Sequence, residues 1–116
     1  TNAKFAHTLS YAELRRRAAE GRYGRMLLDG PMDVKTACDS ESARIKGLTS
    51  EVTGNADILI FPNIEAANTF YKTITLFAGA TTAGMLCGAV APVVIASRAD
   101  SAEAKMCSML MACSLA

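Results

Sequence analysis

The chain has no tryptophan, one histidine and three prolines, and its net charge is only +1, from 12 Lys+Arg against 11 Asp+Glu. Each scarcity removes a class of function. Without a basic excess there is no broad positive field to attract nucleic acid. The one dense basic run, Arg15-Arg16-Arg17, lies in a mixed segment and reads as a solvated helix face. The single histidine, His7, sits close to the N-terminus, so any chemistry has to be done without imidazole. The four cysteines, Cys38, Cys87, Cys107 and Cys113, contain no C-x-x-C pair and fall within apolar or helical patterns. That spacing argues against a zinc site or a disulfide framework, and for free thiols in a reducing cytoplasm. No G-x-G-x-x-G, Walker A, nucleophile-elbow or H-E-x-x-H motif is present, which removes the commonest nucleotide, hydrolase and zinc readings. No apolar h-region follows Thr1-Asn2-Ala3-Lys4-Phe5 and no initiator Met precedes it, so no cleavable signal is expected and the chain reads as a fragment or a processed product.

What is present points to a compact, near-neutral soluble domain: 116 residues, 51% of them hydrophobic, can bury a core without metal or disulfides, with a modest margin. From Thr73 to Ser97 there is no charged residue, a stretch long enough to cross a bilayer. Gly79, Gly84, Gly88 and Pro92 divide it, and Thr73, Thr75, Thr81 and Thr82 dilute it. Buried parallel strands have the same uncharged appearance, so no membrane span is expected.

Four short apolar runs read as strands, near 25–29, 57–61, 84–88 and 92–96. The last two are too close for a crossover helix, so they form a hairpin or belong to different sheets. Helical patterns alternate with these runs. Ser10 with Glu13 has capping-box spacing for a helix over Tyr11–Glu20 closed by Gly21. A helical pattern starting at Asp33 gives way to a polar loop over 39–54. Asn63 caps an amphipathic helix over Ile64–Phe77, with Ile64, Ala67, Tyr71, Ile74 and Ala78 on one face. Asp100 with Glu103 repeats the capping-box spacing, so Asp100 is expected to cap a last helix whose core face is Ala102, Met106, Met109, Leu110 and Cys113. The architecture that satisfies these signals is one three-layer α/β/α domain with a mixed, mostly parallel sheet.

In open α/β sheets ligands gather at the C-terminal ends of strands, where helix N-termini favour anions. Asp29, Asn63 and Glu65 fall there, and above all Ser97 and Arg98, a hydroxyl and a guanidinium between the fourth run and the last helix. For Arg98 an ordinary ion pair with Asp100 or Glu103 competes with anion binding.

The run Gly54-Asn55-Ala56-Asp57-Ile58-Leu59-Ile60-Phe61-Pro62-Asn63-Ile64-Glu65-Ala66-Ala67-Asn68, continuing through Tyr71-Lys72, resembles a signature of the phosphate acetyltransferase/phosphate butyryltransferase family. Ser97-Arg98-Ala99-Asp100-Ser101 through Lys105 resembles a C-terminal block of its butyryltransferase branch, and Leu28-Asp29-Gly30-Pro31 resembles an earlier element. The blocks occur in family order across most of residues 11–116. The resemblance implies an isocitrate/isopropylmalate-dehydrogenase-like fold, and reversible transfer of a short acyl group between coenzyme A and orthophosphate in a cleft between two domains. It implies a cytoplasmic enzyme, usually a homodimer, that takes coenzyme A as a substrate and needs neither cofactor nor metal. By the same resemblance Ser97 and Arg98 are the catalytic residues at the phosphate end of the cleft, and Asn68, Tyr71, Lys72 and Asp100 are substrate-binding residues.

Three departures qualify that resemblance. The acetyltransferase branch has an Asp, proposed to act on the CoA thiol, where this chain has Ala104, with Glu103 adjacent. Ala67 stands where Gly is common in the family. Family members are also much longer, so residues 1–116 correspond to the C-terminal portion without the N-terminal domain, in keeping with the usual placement of a cleft between domains. The competing expectation is a non-catalytic module of the same fold, used for oligomerisation or for sensing acyl-CoA, like the similar domains fused to malic enzymes.

Overall fold

A computed structural model describes residues 2–115. Five helices follow one another along the chain: α1 (Ala6–Ala19), α2 (Val34–Cys38), α3 (Ser40–Ile45), α4 (Ile64–Phe77) and α5 (Ala102–Ser114). The chain divides into two compact units, Thr1–Pro62 and Asn63–Ala116.

In the first unit α1 starts earlier than the Ser10–Glu13 spacing suggests. Phe5 occupies the N-cap position without a side-chain cap, and Ser10 lies inside the helix. Thr8 closes the entry instead, its hydroxyl donating to the Asn2 and Phe5 carbonyls and accepting the Asn2 amide. Gly21, at φ +75°, ends the helix as expected, its amide bonding the Ala18 carbonyl. The arginine run is paired: Arg16 and Arg17 hold Glu13, and Arg15 reaches Asp29.

Within the segment expected as loop, Ser40–Ile45 is helical, because Asp39 caps α3 by accepting the Glu41 and Ser42 amides. Two Asp caps in quick succession, Asp33 and Asp39, break the hydrophobic period that a sequence reading follows. The interior of this unit is built from small residues: Thr36, Ala37, Ser42, Ala43 and Thr53 are buried. Thr36 donates to Asp33 and accepts from Lys46, which also bonds Asp33. Gly54 and Ala56 then return the chain, their amides bonding the Thr36 and Ala37 carbonyls.

In the second unit α4 has the expected bounds and cap, the Asn63 side chain accepting the Ala66 amide at 2.9 Å. The cap of α5 is Ser101 rather than Asp100: the Ser101 hydroxyl accepts the Ala104 amide at 3.1 Å. The buried face of α5 is also not the methionine face. Ala104, Ser108 and Ala112 point inward, whereas Met106, Met109 and Leu110 are exposed. The physical reason is a narrow seat: Ser108 accepts the Gly84 amide and donates to the Ala104 carbonyl, so backbone approaches α5 where only small side chains fit.

The expected sheet is not formed among the described residues. The apolar runs 25–29 and 57–61 belong to no strand ladder, and the only β-pairing is an isolated antiparallel bridge, Leu86 with Val93. That bridge fits the hairpin alternative for the third and fourth runs. A continuous apolar run reports that a segment wants cover on both faces; a ladder needs a neighbouring backbone in register as well. None of the described helices is long and apolar enough to cross a membrane.

Candidate functional site

The second unit gathers most of the residues singled out from sequence around one carboxylate. After the bridge at Val93 the chain turns sharply at Ser97–Asp100, and the turn is closed from both ends. The Asp100 amide donates to the Ser97 carbonyl at 3.1 Å, and the Ser97 amide donates to Asp100 Oδ2 at 2.9 Å. Asp100 Oδ1 accepts the Tyr71 hydroxyl at 3.2 Å and lies 3.7 Å from Lys72 Nζ. Tyr71 and Lys72 are consecutive on α4, and the Lys72 ammonium sits 4.4 Å from the Tyr71 ring centroid, a cation–π contact that fixes one against the other. Since the Tyr71 hydroxyl donates to a carboxylate, it is free to accept from Thr82 Oγ1 at 3.1 Å.

Asp100 is thus a tie between helix and turn, not a helix cap. Its side chain is 17% exposed. The Ser97 amide first, then the Tyr71 hydroxyl and the Lys72 ammonium, hold its carboxyl below the ordinary carboxylate range, against the opposing effect of partial burial. It therefore stays ionised throughout the neutral range.

The two residues expected to act on substrate keep their reactive groups available. The Ser97 hydroxyl oxygen accepts the Ala99 amide at 3.4 Å, so its O–H remains a donor for another oxygen. Arg98 is exposed and makes no hydrogen bond or ion pair among the described residues. The ion pair with Asp100 or Glu103 that competed with anion binding is absent, because Asp100 is spent on Ser97, Tyr71 and Lys72. Ser101 then caps α5 directly after the turn, so the positive end of a 13-residue helix follows Arg98 closely along the chain.

Asn68 stands one turn before Tyr71 and Lys72 on α4; its side chain is exposed and is not part of the cluster. Asn63 serves as a cap, Glu65 lies in the first turn of α4, and Asp29 belongs to the first unit, paired with Arg15. Thr82 was not singled out, and nothing in the uncharged stretch around it distinguishes it. Ala104 is buried on the inward face of α5, so no carboxylate replaces the Asp of the acetyltransferase pattern there, and Glu103 beside it is exposed. Among the described residues no group of His, Cys, Asp and Glu is arranged to hold a metal ion.

A family model described as phosphate acetyl/butaryl transferase matches residues 2–113. The chain is 42% identical over 111 residues to the phosphate butyryltransferase of Clostridium beijerinckii, a match covering 96% of this chain and 37% of that protein. It is 40% identical over 110 residues to the phosphate acetyltransferase of Rhizobium meliloti, covering 95% of this chain and 35% of that protein. The crystal structure of a branched-chain phosphotransacylase from Enterococcus faecalis is similar with a TM-score of 0.80 at 30% identity, over 97% of this chain and 41% of that one. The chain spans little more than a third of the curated relatives it matches, in their C-terminal part.

Proposed function

We propose, since this chain belongs to the phosphate acetyl/butaryl transferase family, that it forms the phosphate-binding side of an enzyme that transfers a short acyl group reversibly between coenzyme A and orthophosphate. The observation that carries the reading is the uncommitted guanidinium of Arg98 on a turn locked by Asp100. A planar fork of donors next to a helix N-terminus suits a phosphate dianion, which it can hold bidentately. A phosphate oxygen attacks the thioester carbonyl carbon, the new C–O bond forms as the C–S bond breaks, and coenzyme A leaves as the thiolate. The Ser97 hydroxyl donates to the carbonyl oxygen as negative charge builds on it. Arg98 and Ser97 are the catalytic pair. Lys72 contributes positive charge near the same turn, Asn68 faces solvent one helical turn away, and Tyr71 with Asp100 positions the turn.

The complete enzyme carries an N-terminal domain that closes the cleft over this surface. There the four apolar runs become strands of the mixed, mostly parallel sheet of an isocitrate/isopropylmalate-dehydrogenase-like fold. The exposed Met106, Met109 and Leu110 on α5 support a homodimer contact. Coenzyme A enters as substrate, and no further cofactor is invoked.

Thiol release from acetyl-CoA and butyryl-CoA, with and without phosphate, tests the reading. Full-length enzyme should show phosphate-dependent release, and residues 1–116 alone should form no measurable acyl phosphate, because both substrates must be held within attack distance. The missing carboxylate at Ala104 favours a second reading, a non-catalytic acyl-CoA-sensing or oligomerisation module. Full-length protein that binds butyryl-CoA but releases no thiol would decide for that second reading.

A further inference from the structure

The second unit carries three cationic side chains, Lys72, Arg98 and Lys105. Lys72 is committed to Asp100 and the Tyr71 ring. Arg98 and Lys105 have no hydrogen bond or ion pair from their side chains among the described residues. For Lys105 the lack of a partner is built into the sequence of α5. The residues three and four positions away on the helix surface are Ser101, Ala102, Ser108 and Met109, none of them acidic. Glu103 is two positions away and faces elsewhere. The dipole of α5 does not stabilise a cation so near its N-terminal end either. Lys105 is nevertheless half-buried. A half-buried ammonium with neither ion pair nor dipole to favour it contributes nothing to the fold, so its charge is left for a ligand.

Its place on the helix fixes where that charge can reach. The Lys105 amide donates to the Ser101 carbonyl at 3.1 Å, so Lys105 stands one helical turn beyond the residue that ends the 97–100 turn. Side chains on a helix lean toward its N-terminus and cover the turn before their own Cα. A four-carbon stem about 6 Å long therefore carries the ammonium back toward Ser101 and the turn.

Acyl transfer from a thioester to phosphate places negative charge at three points: the attacking phosphate, the carbonyl oxygen and the departing sulfur. The planar fork of Arg98 suits the first and the Ser97 hydroxyl the second. The third still lacks a group, and a compact point charge suits a single sulfur atom better than a fork does. We propose, resting on the acyl-transfer reading, that Lys105 is a further catalytic residue whose ammonium holds the coenzyme A sulfur as a thiolate. As the C–O bond forms and the C–S bond breaks, the electron pair of that bond goes to sulfur beside the ammonium, and the proton of hydrogenphosphate passes to solvent. Lys105 keeps its own protons throughout. In the reverse direction the same charge favours the ionised thiol, which is the form that attacks an acyl phosphate. The neighbouring Ala104 offers neither acid nor base, and with a cation at the sulfur none is needed.

The other titratable or charged groups of this region are Arg98, Asp100 and Glu103 on the turn and α5, Cys107 farther along α5, and Tyr71 and Lys72 on α4. Residues 73–97, whose Gly84 meets Ser108 of α5, bring no charge and one thiol, Cys87. Replacing Lys105 therefore removes one positive charge and disturbs no ion pair.

The test uses the full-length enzyme as wild type, Lys105→Met and Lys105→Arg. With coenzyme A bound and phosphate absent, ultraviolet thiolate absorbance followed against pH should show the bound thiol ionising at least about one pH unit lower in wild type than in Lys105→Met, with Lys105→Arg close to wild type. Thiol release from butyryl-CoA at saturating phosphate should fall roughly ten- to a hundredfold in kcat for Lys105→Met, with KM for phosphate unchanged. The same thiol midpoint in wild type and Lys105→Met would overturn the proposal. So would a loss confined to KM, which for butyryl-CoA means that Lys105 only holds the coenzyme's phosphates and for phosphate means a second phosphate ligand. Equal losses in Lys105→Met and Lys105→Arg would mean that packing, not charge, is at stake, and would also overturn it. If Lys105→Met lowers the helix signal in circular dichroism, Lys105→Gln takes its place under the same criteria. Wild type that releases no thiol with phosphate removes the acyl-transfer reading and this role together, whereas active wild type with an unaffected Lys105→Met removes the role of Lys105 alone.

Discussion

The turn at 97–100 and the cleft between 25–33 and 55–62 are both built from strand-like runs that end in polar residues, yet one is finished and the other open. At the turn, each polar group that does not face solvent has a partner within its own unit: Asp100 alone serves Ser97, Tyr71 and Lys72. At the cleft, backbone groups and the side chains of Leu27, Ile58 and Ile60 remain uncovered. Covering each of those side chains would contribute up to about 1.5 to 3 kcal/mol. A polar site can be completed by residues a few positions apart, because a carboxylate collects donors locally. Exposed apolar runs have no such local remedy, because covering them takes side chains or backbone from elsewhere.

The sharpest way to break this contrast is to remove the group that the finished turn leaves free. Arg98→Ala in the full-length enzyme should lower kcat/KM by roughly two to three powers of ten, as expected for loss of a charge-assisted contact to the reacting phosphate. Helix content should not change, since Arg98 bonds nothing among the described residues. Steady-state thiol release with varied phosphate checks it, and an unimpaired mutant would remove Arg98 from the site.

On the side of the open cleft, the largest effect should come from Gly54, which returns the chain beside Asn55 and Ala56 on the rim. Its φ is +80°, and a Cβ there would lie 2.6 Å from the Ser40 Cα, a backbone atom that cannot yield. Gly54→Ala should cost roughly 2 to 4 kcal/mol, read from denaturant unfolding, by adding a steric clash to backbone strain. An unchanged midpoint would mean that α3 does not pack on this turn in solution.

Asp100 refines the comparison from the finished side. Asp100→Ala unties the turn from α4 and should reduce kcat/KM roughly ten- to a hundredfold through misplacement of Ser97 and Arg98. Asp100→Asn keeps an acceptor for the Ser97 amide and should recover most of kcat, with the residual defect in KM for phosphate as Lys72 loses its counter-charge. Equal losses in both variants would mean that charge, not position, is what Asp100 supplies.

These expectations also show what was legible in sequence. The bounds of α4 and its Asn63 cap could be read directly, because cap chemistry and a clean 3.6-residue period coincide there. The Ser97-Arg98 turn was visible as an abrupt end to an apolar run before a helix. The inward face of α5 was not, because hydrophobic spacing selects Met106, Met109 and Leu110, while the seat beside Gly84 admits only Ala104, Ser108 and Ala112. Asp100 was given the cap that Ser101 provides; two candidate caps in adjacent positions differ only in which backbone amide each can reach. Thr82 could not be found, since its role depends on where the Tyr71 hydroxyl lies. The apolar runs read as buried strands, yet Leu27, Ile58, Ile60, Leu86 and Ile95 are exposed, because burial needs a covering partner and that partner cannot be named from the run itself.

Loss of a single helix cap is a smaller effect and compares the two ends of the second unit. Ser101→Ala and Asn63→Ala should each cost about 1 kcal/mol. Ser101→Ala should in addition weaken phosphate binding, because the α5 N-terminus that it orders adjoins Arg98, whereas Asn63→Ala should leave phosphate affinity unchanged. Phosphate titration followed by backbone amide shifts separates the two, and equal weakening would argue against a local contribution from α5.

The smallest effect concerns acid. In the first unit Arg16 and then Arg17 lower the Glu13 carboxyl to about 2, and in the second unit Ser97, Tyr71 and Lys72 lower that of Asp100 below its ordinary value. For a carboxylate lowered on folding, the stabilising contribution is complete above the unfolded-state pKa and is lost as pH falls through the folded-state value. Neither contribution changes between pH 6 and 8, so stability and the geometry of the turn should be flat there; both decline only below about pH 4. The two should nevertheless respond differently to salt. Glu13 pairs with arginines that are more than half exposed, so raising salt to about 1 M should move its titration midpoint toward the ordinary value. Asp100 is held first by a backbone amide in a less exposed position and should move less. Carboxyl carbon NMR titrations at low and high salt check this, and an Asp100 midpoint as salt-sensitive as that of Glu13 would mean that Lys72, not the locked turn, sets its charge.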